Sequence, residues 1–274
     1  MPTGTILVTG ASSGIGRACA LRFAELGYRV LAGARSADAG EALKAPGIEP
    51  VQLDVTQADS IGRARALLGD GPLAGLINNA GISTVGPLEL LTVDSWRRQF
   101  EVNVIGLVAV TQALLPNLRL GKGRIINVGS IAGRSALPGT GAYDSSKFAV
   151  EAITDSLRME LQSSGIHVSI VEPGAIATSI WEKTQRETDE LTSAAPPELL
   201  QFYGRLIAKI QEEAKRAAQK ALPAEAVAKA VEHALTARKP KTRYVVGNDA
   251  RFWLLLNLLP DRWRDWLVLA EMNK

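Results

Sequence analysis

Seven short apolar, β-branched runs, separated by segments with helical spacing, place the strongest constraint on the fold of this 274-residue chain. Such runs are typical of strands that are buried on both faces of a sheet. They lie at residues 5–9, 29–34, 50–53, 76–78, 124–128, 167–172 and 242–246. The clearest helical segments lie at residues 14–26, 94–115, 143–162 and 224–237. The alternation predicts an α/β fold with a doubly wound, parallel seven-stranded sheet and helices on both faces.

The length fits one large α/β domain, and no linker divides the chain, so we predict a single domain over residues 1–274. Two segments depart from the alternation. Residues 178–222 follow the sixth run and are rich in charge, Thr and Pro, which predicts a substrate lid at the strand ends. Residues 248–274 hold three of the five Trp residues and are interpreted as an apolar C-terminal extension.

Charge and cysteine content exclude several classes of protein. With 31 basic residues against 28 acidic ones and no basic block, we expect no nucleic-acid partner. The lone Cys19 cannot form an internal disulfide and is predicted to fill the core. We see no signal peptide and no run near the roughly 20 apolar residues that span a bilayer, so we expect a cytoplasmic protein. His167 and His233 have no partners at metal-ligand spacing, and we expect no metal.

A glycine-rich turn, "TGASSGIGRA", comes directly after the first predicted strand. Gly10, Gly14 and Gly16 suit a sharp turn, close approach of the backbone to a pyrophosphate and close packing of the next helix. The spacing is G-x-x-x-G-x-G, and the alternative interpretation is a plain Gly/Ser-rich loop. Its position between a strand and a helix favours a Rossmann-type dinucleotide site. The predicted phosphate-binding residues are Gly10, Ser12, Ser13, Gly14, Ile15 and Gly16.

The end of the second predicted strand indicates which dinucleotide binds. A carboxylate there would bond the adenosine ribose hydroxyls, whereas this chain has Arg35. A forked, charge-assisted contact of Arg35 with a 2′-phosphate would favour NADP(H) over NAD(H) by about 10-fold. Ser12 and Ser36 can add hydroxyl donors. The alternative is that Arg35 is an ordinary solvated surface residue.

Other polar residues follow the later strands. Asp54, beside Val55, is placed to accept from the adenine amino group, and Asn79, Ala80 and Gly81 follow the fourth strand. Asn103 lies within an apolar helical stretch, where a buried amide needs partners. Ser130 follows the fifth strand, and Tyr143 and Lys147 lie one helical turn apart. Each feature alone is common, and together they define a candidate site.

The combination resembles the short-chain dehydrogenase/reductase family, in its single-domain branch. "TGASSGIG", Asp54, "NNAG", Asn103, Ser130, the Tyr143 and Lys147 pair, and "EPGAIAT" arrive in the family's order. The resemblance implies that Tyr143 is the general acid/base, with Ser130 bonding the substrate oxygen. It also implies that Lys147 holds the nicotinamide ribose and lowers the Tyr143 pKa from about 10.

The same resemblance assigns further roles. Asn103 would hold a water that links Lys147 to solvent. The turn after the sixth strand, with Pro173 and Gly174, would bind the cofactor, and the Ile176 backbone and the Thr178 hydroxyl would hold the nicotinamide carboxamide. The family implies a homodimer or homotetramer formed through the helices that contain Asn103 and Tyr143.

The substrate is expected to be a fairly apolar small molecule, since "IVEPGAIAT" and the Trp/Leu-rich tail resemble hydroxysteroid and retinol dehydrogenases. One alternative is reduction of a 3-oxoacyl thioester, and one from another class is a non-catalytic NADP(H)-binding sensor or scaffold. The tail is interpreted as packing on the pocket mouth or on a second subunit. Contact with a membrane surface is the alternative.

Overall fold

A computed structural model describes residues 4–272 and contains one seven-stranded, all-parallel sheet. The strand order is β3-β2-β1-β4-β5-β6-β7, which confirms the predicted doubly wound, Rossmann-type α/β fold. The strands are β1 (Thr5–Val8), β2 (Arg29–Ala34), β3 (Ile48–Gln52), β4 (Gly75–Asn78), β5 (Arg124–Val128), β6 (His167–Pro173) and β7 (Arg243–Val246). The order reverses beside β1, so the carboxyl ends of β1 and β4 border the crevice where such folds bind ligands.

Eleven α-helices lie within the described residues. They are α1 (Gly14–Glu25), α2 (Ala37–Glu41), α3 (Ala58–Ala66), α4 (Val93–Phe100), α5 (Gly106–Gly121), α6 (Gly141–Glu160), α7 (Ile180–Ala194), α8 (Pro197–Gln219), α9 (Ala224–Thr236), α10 (Asn248–Leu256) and α11 (Asp261–Met272). A π-helical turn (Glu101–Ile105) joins α4 to α5, and 3-10 turns cover Ile131–Gly133 and Gln162–Ser164.

Alternate residues of the strands build a hydrophobic core on each face of the sheet. On one face Ile6 packs with Phe23 of α1 and Val227 of α9. On the other face Leu7 packs with Ile61 of α3 and Leu114 of α5. Cys19, predicted to fill the core, is fully buried, and burial raises the pKa of its thiol to about 12. The two cores fix the strand ends from which the site is built.

The boundaries differ from the sequence-based ones at two places that have physical causes. β3 begins at Ile48, before Pro50, because β3 is an edge strand that tolerates a proline without a ladder N–H. The predicted helix over residues 94–115 runs from Val93 to Gly121 and is interrupted by the π turn around Asn103. It ends at Lys122, whose backbone adopts the left-handed conformation with φ of 43°.

This stretch, Val93–Gly121, is the one helix within residues 4–272 that is long and apolar enough to cross a membrane. The sequence predicted no run long enough to span a bilayer. Val110, Leu114 and Leu118 of α5 are nevertheless buried in the core beneath the sheet. We therefore assign this stretch to the packed interior of the domain.

The two segments outside the alternation are helical. Residues 178–222 contain α7 and α8, and the tail contains α10 and α11. Asn257, just after α10, donates to the Arg134 carbonyl at 2.6 Å, which ties the tail to the loop after β5. The two ends of the predicted domain, residues 1–3 and 273–274, lie outside the described residues.

Candidate active site

A cleft of about 930 Å³ opens at the carboxyl ends of the strands, between the glycine turn, α6 and α7. The sequence-predicted residues that line it are Gly10, Ser12, Ser13, Gly14, Ile15, Arg35, Ser36, Asp54, Val55, Asn79, Ala80, Gly81, Tyr143, Lys147 and Thr178. The other predicted residues, Gly16, Asn103, Ser130, Pro173, Gly174 and Ile176, lie in the surrounding structure. The fold therefore brings most of the candidate residues to one cavity.

The glycine turn is shaped by backbone conformation and close approach. Gly10 and Gly14 have φ of 64° and 54°, a region that favours glycine. A Cβ on Gly10 would lie 2.8 Å from the Ala80 Cα, and one on Gly14 would lie 2.8 Å from Thr178 Cγ2. Gly16 packs against the Gly10 carbonyl, so its part is to let α1 approach the turn. The first N–H groups of α1 have no helical acceptors and suit an anion in the cleft.

Thr9, for which the sequence predicted no role, fastens this turn to the end of β4. Its Oγ1 accepts from the backbone N–H groups of Asn79 and Ala80, both at 2.9 Å. The Asn79 Nδ2 donates back to the carbonyls of Thr9 at 3.0 Å and Gly10 at 3.1 Å. The side chain of Asn79 is therefore a clamp for the turn. A hydroxyl residue directly before the first glycine was the available sequence signal.

The end of the cleft beyond β2 and β3 is open to solvent. Arg35 and Ser36 are exposed, and within residues 4–272 the Arg35 guanidinium has no ion-pair partner. Ser36 caps α2 by accepting from the Ala39 N–H at 3.3 Å. Asp54 accepts from the Thr56 N–H at 2.9 Å and Thr56 Oγ1 at 2.8 Å, both through Oδ1. This end of the cleft therefore offers the Arg35 guanidinium as a cation and the second carboxylate oxygen of Asp54 as a hydrogen-bond acceptor.

The opposite end holds Tyr143 and Lys147 on one face of α6. The Lys147 Nζ lies 5.8 Å from the Tyr143 ring centre and donates to the Val128 carbonyl at 3.0 Å. Burial lowers the pKa of Lys147 to about 8, against the opposing charge of Glu151. Burial raises the pKa of Tyr143 to about 12, a hydrogen bond with Ser130 lowers it, and the charge of Asp144 raises it. The protein alone therefore favours the protonated phenol.

Ser130 follows β5 and begins the 3-10 turn, where its Oγ accepts from the Ala132 N–H at 3.1 Å. This cap leaves the Ser130 hydroxyl hydrogen for another acceptor. The effect of Ser130 on the Tyr143 pKa shows that the two hydroxyl groups lie close together. Two adjacent hydroxyls can bond a single substrate oxygen.

Asn103 is fully engaged within the protein. Its Oδ1 accepts from the Ile82 N–H at 2.9 Å, and its Nδ2 donates to the Ile82 carbonyl at 3.0 Å and Ser146 Oγ at 3.1 Å. Gln99 likewise bonds Ile82 and Ser146, so two amides fasten the strand exit to α6. A relay water, as the resemblance implied, would have to use the Asn103 main-chain carbonyl. Asn103 lies in a π turn, where the main-chain hydrogen-bond register is displaced.

The chain after β6 returns to the glycine turn. Gly174 donates to the Val246 carbonyl at 2.9 Å, and the Ala175 N–H donates to Asp249 of α10 at 2.6 Å. The Ile176 side chain is buried, and its carbonyl accepts from Trp181 Nε1 at 2.7 Å. Thr178 then packs on Gly14. The predicted nicotinamide turn is thus held by β7 and α10 as well as by α7.

The helix α7 covers part of the cleft. Ser179 Oγ lies 3.3 Å from Ser13 Oγ of the glycine turn, and Arg98 of α4 pairs with Glu187 at 3.2 Å. Lys183 also lines the cavity. These contacts place residues 178–187, the first part of the predicted lid, along the cleft.

Comparison with protein families matches residues 4–189 to the short chain dehydrogenases. The chain is 39% identical to dehydrogenase/reductase SDR family member 9 of Bos taurus, over 97% of this chain and 87% of that protein. It is 37% identical to retinol dehydrogenase 5 of Mus musculus, over 94% of this chain and 85% of that protein. It is 40% identical to a 3-amino-tetrahydro-pyrrolizinone reductase of Xenorhabdus hominickii, over 90% and 88% of the two chains.

Solved structures agree with these relatives. A short-chain dehydrogenase from Streptomyces avermitilis superposes with a TM-score of 0.78 at 30% identity, covering 99% of this chain and 97% of that one. A short chain dehydrogenase from Burkholderia cenocepacia in complex with NADP gives 0.73 at 28% identity, covering 95% and 94%. One from Burkholderia phymatum in complex with NAD gives 0.74 at 25% identity, covering 89% and 88%.

Proposed function

This chain belongs to the short-chain dehydrogenase/reductase family, and we propose that it is an NADP(H)-dependent alcohol dehydrogenase or carbonyl reductase for a fairly apolar small molecule. The family makes it an oxidoreductase with a nicotinamide cofactor. The observation that carries the finer proposal is the layout of one cleft. Tyr143 and Lys147 line its buried end, with Ser130 beside Tyr143 in the surrounding structure, and the uncommitted Arg35 lines its open end.

The residues present fit a dinucleotide. The positive-φ glycines and the start of α1 suit a pyrophosphate, and Arg35 lies at the far end of the same cavity. When bound, the cofactor supplies or accepts the hydride. Lys147 would hold the nicotinamide ribose hydroxyls. Ile176 and Thr178 would orient the nicotinamide carboxamide, which decides the ring face that meets the substrate.

In carbonyl reduction, Tyr143 gives its phenol proton to the oxygen of the new alcohol, and Ser130 donates a hydrogen bond to that oxygen. In alcohol oxidation the proton returns to Tyr143. Burial opposes the phenolate, so positive charge has to lower the Tyr143 pKa from its value of about 12. Lys147 supplies one such charge, and the oxidised nicotinamide supplies a second one.

Preference for NADP(H) is supported by Arg35 rather than by the comparisons, since the similar structures were solved with NADP in one case and NAD in another. The guanidinium is exposed, lines the cleft and has no ion-pair partner within residues 4–272. A 2′-phosphate would give it one. NAD(H) is the less favoured cofactor.

An apolar substrate is supported by relatives named as retinol dehydrogenases and a 17-beta-hydroxysteroid dehydrogenase. The alternative within enzymes is reduction of a 3-oxoacyl thioester, and the helices of residues 178–222 favour a bulkier free substrate. A cofactor-binding sensor or scaffold is the alternative from another class. The presence of both Tyr143 and Lys147 argues against it, because binding alone needs no proton donor.

The proposal is tested by consumption of NADPH and, in parallel, NADH over a panel of ketones, aldehydes, steroids and acyl thioesters. We expect turnover with apolar ketones or steroids and higher kcat/KM with NADPH. Turnover confined to acyl thioesters would establish the alternative enzyme, a 3-oxoacyl thioester reductase. Tight NADPH binding without turnover on any class would favour the sensor.

We also propose a cytoplasmic homodimer or homotetramer formed through the π turn and α6. Ile105 and Phe148 are large exposed apolar residues on these elements. Sedimentation of the full chain tests the assembly, and a monomer at micromolar concentration would contradict it.

The tail presents Phe252, Leu258, Trp263 and Trp266 to solvent. Packing on the pocket mouth or on a second subunit is the first interpretation, and contact with a membrane surface is the second. Tryptophan fluorescence with and without lipid vesicles separates them. An unchanged spectrum would exclude the membrane interpretation.

A further inference from the structure

Four segments next to the candidate site meet in a partly buried cluster of charges that the proposed reaction does not use. Glu151 lies on α6 one turn beyond Lys147, and Glu172 lies in β6 just before the nicotinamide turn. Arg243 of β7 bonds both glutamates, including Glu172 at 2.9 Å, and pairs with Asp155 at 2.7 Å. Arg134, from the loop after Ser130, pairs with Glu172 at 3.3 Å. Glu172 is fully buried.

One oxygen of each glutamate is left without a donor. Arg243 Nη1 bonds Glu151 Oε2 and Glu172 Oε1, so one nitrogen draws the two carboxyl groups together. Glu151 Oε1 and Glu172 Oε2 are buried and accept no hydrogen bond from any donor in residues 4–272. Two ionised carboxylates can only accept, whereas a single proton between them would satisfy both oxygens.

The charges of the cluster favour such a proton. Within the described residues, Glu151 and Glu172 form ion pairs only with Arg134 and Arg243, and Arg243 also pairs with Asp155. Asp155 has a further partner in Arg158. Burial and the charge of Glu172 raise the pKa of Glu151 to about 7, against the opposing effect of Arg243.

We propose that Glu151 and Glu172 share one proton and that this pair, clamped by Arg243, is a positioning element that sets the charge behind Lys147. The inference rests on the proposed function for its catalytic consequence. The Gly133 backbone packs closely on the Lys147 carbonyl and on Glu151 Cγ, so Glu151, Lys147 and the turn after Ser130 are in direct contact.

The sign of the catalytic effect follows from charge. When the pair loses its proton, a second negative charge appears one helical turn from Lys147 and helps to keep the ammonium protonated. Replacing Glu151 by Gln removes this charge, so Lys147 loses its proton at lower pH. The charged groups around the pair are Lys147, Asp155, Arg134 and Arg243, with Arg158 beyond them on Asp155.

The first experiment needs no substrate. A carboxyl group with a raised pKa stabilises the fold below its unfolded pKa, and this contribution is lost as pH rises through the folded value. For Glu151 the window runs from the ordinary 4.5 to about 7. We expect the free energy of unfolding of the wild type to fall as pH rises across this window. In Glu151→Gln the slope of this fall should be smaller by the contribution of one titrating proton. Asp144, whose pKa burial raises to about 6, adds a similar slope to both proteins.

If Glu151→Gln does not fold, Glu172→Gln and the infrared spectrum of the wild type replace it. A shared proton gives a protonated carboxyl band near neutral pH that disappears at higher pH. Absence of the band, or an unchanged slope in a folded Glu151→Gln or Glu172→Gln variant, would overturn the shared proton.

The second experiment measures kcat against pH in carbonyl reduction. We expect the alkaline limit, set by Lys147, to move to lower pH by roughly one unit in Glu151→Gln. The matched control is Asp155→Asn, which removes another Arg243 partner on the same helix, and its alkaline limit should not move. Equal shifts of the alkaline limit in both variants would show that the Glu151–Glu172 pair has only a structural role. Wild-type inactivity on the whole panel would refute the proposed function, and the substrate-free measurements would still decide whether the proton is shared.

Discussion

The two ends of the cleft are built on different principles. At the catalytic end Lys147 is buried, Tyr143 is partly covered, and burial displaces the pKa of both groups. At the open end, beyond β2 and β3, Arg35 and Ser36 are exposed, and the Arg35 guanidinium has no ion-pair partner within residues 4–272. Under the proposed function, the first end would act by controlling protons, whereas the second end would choose the cofactor by its charge. Substitutions at the first end should therefore change rate, and those at the second end should change cofactor choice.

Tyr143→Phe should break the catalytic end alone. Removing the phenol that protonates the substrate oxygen should lower kcat by about 10²- to 10⁴-fold. NADPH affinity, measured by fluorescence titration, should remain nearly unchanged because the phenol hydroxyl is not needed for the phosphate or adenosine contacts. Survival of turnover would refute the general-acid assignment.

Ser130→Ala should have the next largest effect. The variant loses a hydrogen bond to the developing oxygen charge, and we expect kcat to fall about 10²-fold. Thermal unfolding should stay close to that of the wild type, since Ser130 is only partly buried and its cap serves a single turn. A wild-type rate would remove Ser130 from the mechanism.

Arg35→Ala tests the open end and should have the smallest effect of the three. Loss of a charge-assisted contact should weaken NADPH binding by about 10-fold and leave NADH binding unchanged. Calorimetric titration of both cofactors measures the ratio. Arg63→Ala, an exposed arginine of α3 outside the cleft, is the matched control. Equal losses for both cofactors would contradict the 2′-phosphate contact and the contrast between the two ends.

The sheet could be predicted from sequence because its information is local. Each strand is a short apolar run, and the glycine turn follows β1 directly. The helix α1 begins at Gly14, as the sequence predicted. Gly14 also has a positive φ, a conformation that favours glycine. Cofactor-site residues follow from the same local signals at strand ends.

The parts that sequence did not provide depend on contacts between distant residues. No local pattern indicates the part that Glu172 plays in the charge cluster, because its partners Arg243 and Glu151 are far away along the chain. The π turn at Asn103 interrupts a helix whose apolar periodicity continues through it. Thr9 follows the last residue of a strand, and its clamp appears only when β4 lies beside β1.

The bond from the Ala175 N–H to Asp249 has a practical meaning for engineering. Asp249 belongs to the first turn of α10, so the beginning of the tail acts as a fastener for the nicotinamide turn. A protein shortened before residue 248 would lose that fastener together with its exposed tryptophans. Trimming aimed at solubility should therefore start beyond Asn257, which keeps the bonds of both Asp249 and Asn257, while fusions belong at the far end of α11.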